Sequence, residues 1–253
     1  MAHPVWGLAR LTLLEARRTA VGKAALASMA AAFFLALFAS RIVLTDQERV
    51  TVVAYAVIVR LAIIFTLAQA IIANTVRDLN ERIVENFLAL PLTRLQYAAG
   101  KWLGWSAVAA VCGVAAGVPL LAFSATPGRL QWTFSFAAEA VVIASLALLL
   151  ALALGRVITA MLAFCCLYLF ARIGYLLVML SANMGATKGT WMDRLDARYV
   201  EAAGYLLPRM DRFADTSWLS GGPISFGPEL LQALIYVVLL GAAANIELRR
   251  KQF

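Results

Sequence analysis

The sequence predicts an all-α membrane protein: six transmembrane helices behind an N-terminal interfacial elbow helix, with both termini in the cytoplasm. Three observations predict it. Apolar residues make up 63% of the 253 and charged residues only 14%, with a mean hydropathy of +0.83. Soluble domains sit near 45–50% apolar and about 25% charged, and one soluble core could not hide this excess. Six apolar runs reach the length of about 20 residues that a hydrocarbon core requires. Lysine and arginine, finally, are unevenly shared between the loops.

The elements follow in order. Residues 4–20 mix apolar side chains with Arg10, Glu15, Arg17 and Arg18, and Pro4 suits a first helical position. That pattern predicts an elbow helix lying at the membrane surface, not a cleaved signal peptide. The predicted spans are about 23–44, 51–75, 102–123, 132–154, 157–180 and 229–247. Only Gly155 and Arg156 separate the fourth from the fifth, which predicts a tight hairpin. Pro119 is expected to kink the third span near its end. Gly113 and Gly117 form a GxxxG pair suited to close helix contact. Trp102, Trp105 and Trp132 stand near span ends, where aromatic belts belong.

With the N-terminus inside, twelve lysines and arginines fall in cytoplasmic segments and three (Arg41, Arg49 and Arg129) in the two short outer loops. That asymmetry sets the predicted orientation, and the even span count agrees with the Arg-Arg-Lys tail. The net charge of +8 is therefore read as topogenic charge beside anionic lipid rather than as a nucleic-acid surface. Chemistry is sparse. The single histidine is His3, and Cys112, Cys165 and Cys166 all lie in apolar runs. No metal cage or histidine-dependent triad can be assembled from this set. No cofactor is expected in this chain.

Two polar stretches interrupt the single transmembrane domain of residues 1–253. An external segment spans 181–228, and within it 190–207 has helical spacing ended by Pro208. Such a helix rests either on the outer interface or on the span ends. The cytoplasmic segment, 76–101, places Arg77, Asp78, Glu81, Arg82 and Glu85 before Phe87, Leu88, Leu90 and Pro91. A helix with that division either docks into a partner's groove or lies at the lipid surface.

This stretch resembles the coupling region of type-2 ABC export permeases, on Glu85, Phe87, Leu88, Leu90, Pro91, Arg94, Tyr97, Gly100 and Lys101. The elbow, the six spans and the large outer segment also match that plan, as does PRMDRFADTSWL at 208–219. One departure stands: family members commonly carry Gly-Thr before the acidic residue, where this chain has Arg82 and Ile83. The resemblance implies a permease working as a homodimer with two copies of an ABC ATPase subunit in a bacterial inner membrane. It places the ATPase contact at Glu81, Arg82, Glu85, Phe87, Leu88, Leu90, Pro91 and Arg94. This chain has no GxxxxGK[ST] loop, so ATP and Mg would be held by the partner. A periplasmic partner for 181–228 stays open, as does the alternative of a non-transporting scaffold that relays ATPase motion. A membrane-embedded enzyme would need clustered catalytic side chains, and the sequence offers none.

Three charges fall inside predicted spans: Arg60, Glu139 and Arg172. A charge at the bilayer centre costs about 2.5–3.5 kcal/mol on insertion scales, so partners are expected. At about 1.5 Å per residue, all three lie roughly 10–14 Å from the outer face. Equal depth permits one cluster. Either it fixes helix packing as a buried ion pair, or it forms a positive site on a substrate path.

Overall fold

A computed structural model describes residues 4–42, 46–81, 93–120, 128–187, 210–220, 222 and 227–250. Among them there is no strand. Seven helices follow in order: α1 (Pro4–Arg18), α2 (Val21–Ile42), α3 (Gln47–Asn80), α4 (Arg94–Gly117), α5 (Gly128–Leu154), α6 (Val157–Thr187) and α7 (Gly227–Arg250). Two 3-10 turns, Arg212–Ala214 and Ser217–Ser220, precede α7. Five helices (α2, α3, α4, α5 and α7) are long and apolar enough to cross a membrane, and α6 is apolar over Val157–Ile173. The protein is thus a helical, multi-pass membrane chain.

Burial sorts these helices into a centre and a rim. α3 and α5 form the centre. Tyr55, Val59, Ile63, Leu67 and Ile71 make a buried stripe on α3 at helical spacing, and Trp132, Phe136, Ile143 and Ala147 do so on α5. α2 packs on α3, α4 and α7 pack on α5, and α6 leans on both central helices. The rim helices turn large apolar side chains outward, among them Phe34 and Phe38 of α2 and Leu234 and Val238 of α7. In water such faces would be an aggregation hazard, whereas lipid accepts them without penalty.

The close approaches are set by missing side chains. A Cβ on Gly113 would lie 2.6 Å from the Ala137 Cα, and one on Gly117 would overlap the Thr133 hydroxyl, so this GxxxG pair seats α4 against α5. A second pair on the same helix lies a little over two turns earlier. A Cβ on Gly100 would meet the Leu8 Cβ at 2.7 Å, and one on Gly104 would meet the Thr12 Cβ at 2.5 Å. α1 therefore lies directly in a groove of α4. Helix α5 ends at Gly155, which adopts φ 63° and donates to the Ala151 carbonyl at 3.1 Å. A left-handed glycine is the usual way to reverse a chain after a helix, and α6 starts two residues later.

α3 is 34 residues long, about 51 Å at 1.5 Å per residue, against a hydrocarbon core of about 30 Å. The excess length is taken up by tilt or lies outside the apolar slab, and the last turns of α3, with Asn74 and Arg77, lie beside α1. That end of the bundle is called the α1 end below, and the opposite one, where residues 210–220 sit, the far end. α4 gives way at the far end to a turn at Val118 and Pro119, with Val118 N donating to Ala115 O at 3.1 Å. Proline there has no N–H to continue the helical ladder.

Candidate functional site

The three charges expected inside the spans come together. Arg60 of α3 and Glu139 of α5 are fully buried, and the Arg60 Nη1 donates to the Glu139 Oε2 at 2.8 Å. The other carboxylate oxygen accepts from Arg172 Nη1 at 3.2 Å and from the Tyr168 hydroxyl at 3.3 Å, both on α6. One carboxylate thus ties three helices. Arg60 is also held by aromatic faces, with its Cζ 4.9 Å from the Trp132 ring centroid and 5.1 Å from that of Phe136. Such faces stabilise a desolvated guanidinium through the ring quadrupole. Phe65 packs edge-on against both Phe164 and Tyr168 and so continues the α3–α6 contact away from the charges. Formally the cluster carries two arginines against one glutamate.

A piece of chain from outside the helices completes it. The Phe213 carbonyl accepts from Arg60 Nη1 and from the Ser135 hydroxyl, the latter at 3.0 Å. Ser135 lies seven residues into α5, so the first 3-10 turn dips about 10 Å below the start of that helix. Met210, Phe213, Trp218 and Leu219 are buried there. The second 3-10 turn crosses Gly128 so closely that a Cβ at that position would fall on the Trp218 carbonyl. Residues 210–220 form a stopper in the far end, latched to the charge cluster through one backbone oxygen.

At the α1 end a second polar cluster joins three helices. Lys101 of α4 pairs with Asp78 of α3 at 2.5 Å and with Glu15 of α1 at 3.4 Å, and donates to Asn74 Oδ1 at 3.1 Å. Glu15 in turn accepts from Asn74 Nδ2 at 2.7 Å and from Arg77 Nη2 at 2.6 Å. Tyr97 of α4 hydrogen-bonds Asp78 as well. Burial alone would raise the Glu15 pKa, but Lys101, Asn74 and Arg77 together hold the carboxyl below its ordinary value of 4.5. Lys101, which the sequence offered for the coupling resemblance and as one of the topogenic charges, is the hub of this lock.

The remaining expected residues fall as follows. Glu81 caps α3, its N–H donating to the Arg77 carbonyl. Arg94 opens α4 behind a capping box, in which the Thr93 side chain accepts from Gln96 N and the Gln96 side chain accepts from Thr93 N. Arg82, Glu85, Phe87, Leu88, Leu90 and Pro91 lie outside the described residues, and so does the helix expected over 190–207. The aromatic-belt expectation is corrected for two tryptophans. Trp105 and Trp132 are buried in the bundle, while Trp102 donates to Ser145 Oγ at 2.8 Å. Distance from a span end does not say which way a helix face turns. Sequence reasoning also missed Tyr168, Phe213, Ser135 and the Gly100/Gly104 pair. The last carried a readable GxxxG signal, and Tyr168 stands one turn before Arg172. Phe213 lies inside the 208–219 stretch that shares in the resemblance, but it acts through its backbone and nothing in that stretch singled it out.

No protein-family model matches the chain, and none of the curated proteins compared with it matches.

Proposed function

We propose that this chain is the membrane permease subunit of an ABC exporter, forming the translocation path and driven by a separate ATPase. The working unit is a homodimer of this chain with two ATPase copies, set in the bacterial inner membrane among its lipids. In this reading α6 supplies the sixth span, α1 is the elbow, and both termini and the α1 end face the cytoplasm. The chain carries no cofactor, because ATP and Mg sit on the partner, and it binds no nucleic acid.

The observation that supports this most is how residues 82–92 are mounted. They join two helix ends, α3 capped at Glu81 and α4 opened by the Thr93 capping box, and the lock of Lys101, Asp78, Asn74 and Glu15 clamps those ends to each other and to α1. A force applied to the segment would move α1, α3 and α4 together instead of fraying one helix. α3 then carries that motion to Arg60, and Arg60 holds the carbonyl of the far-end stopper. Energy entering at one end thus has a continuous, packed route to the closure at the other.

The same route favours a second reading. A stopper wired to the ATPase would also serve a scaffold that signals to a periplasmic partner and moves no cargo. Purification of the tagged chain in mild detergent from its native host is the direct test. The permease reading expects an ATPase to copurify, Glu85→Arg to release it, and hydrolysis to rise with an added cargo. Copurification with no stimulation by any lipid, glycan or drug favours the scaffold. Absence of an ATPase in every mild detergent overturns both.

A further inference from the structure

An open cleft of about 570 Å³ lies beneath α1 at the bases of α3 and α4. Its polar end is formed by Arg18, Arg77, Glu15 and Lys101, and Leu11 and Leu14 of α1 form its apolar flank. We propose that this cleft holds an anionic phospholipid, its phosphate between Arg18 and Arg77 and an acyl chain along the two leucines.

The charges select the ligand. Among the described residues Lys101 is matched by Asp78 and Arg77 by Glu15, so Arg18 leaves the cleft lining one positive charge in excess. Arg77 gives only Nη2 to Glu15, and its side chain remains 48% exposed. A guanidinium has five N–H donors in a planar fork, so Arg77 can hold Glu15 and still present donors to a phosphate. Arg18 is exposed in the last turn of α1, beside Arg17. The carbonyls at that helix end would repel an anion, and Arg18, which lines the cleft, offsets them. The apolar flank distinguishes a lipid from a free anion. Leu11 and Leu14 are both strongly exposed on a surface helix, where an acyl chain would cover them. None of this depends on transport or on an ATPase.

Native mass spectrometry of the full chain, released from detergent holding equal phosphatidylglycerol and phosphatidylcholine, tests the proposal. Phosphatidylglycerol should be retained preferentially. Arg18→Gln should cut that retention roughly fivefold, the weight of one basic residue near an anionic headgroup. Arg17→Gln removes the same charge from the same turn but does not line the cleft, and should change retention less than about twofold. Arg77→Gln should match Arg18→Gln, and because it also opens the Glu15 pair, Arg18→Gln decides the matter. Equal retention of the two lipids would overturn the proposal. So would Arg17→Gln proving as harmful as Arg18→Gln, which means diffuse attraction, or displacement of the lipid by inorganic phosphate, which means a free-anion site.

Discussion

Glu139 is the one acid in the intramembrane cluster, and it answers two arginines. Removing it leaves Arg60 and Arg172 both without a carboxylate, while removing either arginine leaves Glu139 paired with the other. Breaking a buried pair from one side costs about 3–5 kcal/mol, chiefly because a desolvated charge is stranded. Glu139→Gln is therefore expected to lower the melting temperature in detergent most. Arg60→Gln should follow, since Arg60 is fully buried and also holds Phe213, and Arg172→Gln should cost least because Arg172 is 21% exposed. An order led by Arg172 would contradict the pairing. The lock at the α1 end makes a prediction of opposite location and different kind. Glu15 has its carboxyl pKa lowered in the folded chain, so its contribution is complete above the unfolded value of 4.5 and is lost as pH falls through the lower folded value. The difference in melting temperature between the parent chain and Glu15→Gln should therefore shrink as pH falls through that acid window. The equal depth of Arg60, Glu139 and Arg172 was legible from span positions alone. Their other partners were not, because a carbonyl such as that of Phe213 has no sequence signature.

Among the helices, the decisive contacts are those where no side chain stands. Gly104→Leu should push α1 out of its groove on α4, since even a Cβ there comes within 2.5 Å of Thr12. Overpacking of this kind costs about 1–3 kcal/mol. The loosening can be read by maleimide labelling of a cysteine placed at the buried Leu8, in a chain whose own cysteines are replaced. Gly7→Ala is the control, because Gly7 has open space around it and alanine favours the helix. Labelling of Leu8→Cys should rise in the first variant and stay low in the second; equal labelling in both would mean α1 does not depend on that groove. The helices themselves were largely readable. α1 was expected over 4–20 and runs Pro4–Arg18, and the hairpin at Gly155 separates Leu154 from Val157. The rotation of each helix about its axis was not readable. α5 is apolar almost all round, so nothing in its pattern distinguishes the face holding Trp132 from one facing lipid. That is why a belt was expected where a core tryptophan stands.

Over the whole molecule, two polar clusters at different depths are joined by one long helix. α3 carries Asn74, Arg77 and Asp78 at the α1 end and Arg60 in the bundle, so one helix links the lock to the Phe213 carbonyl. The proposed exporter uses that arrangement to turn cytoplasmic force into opening of the far end. On this view Arg172→Leu should abolish transport while the chain still assembles with its ATPase, and loss of the assembled chain would instead mark Arg172 as a packing residue. Every step in that chain of events requires residues 82–92 to face the cytoplasm, because that is where an ATPase would be. Side-specific labelling tests this most directly, with Asn86→Cys introduced into a chain lacking its three native cysteines. The account predicts that a membrane-impermeant maleimide leaves Asn86→Cys untouched in intact spheroplasts and labels it once they are broken open. Labelling in intact spheroplasts would place the segment outside and contradict the coupling to a cytoplasmic ATPase altogether.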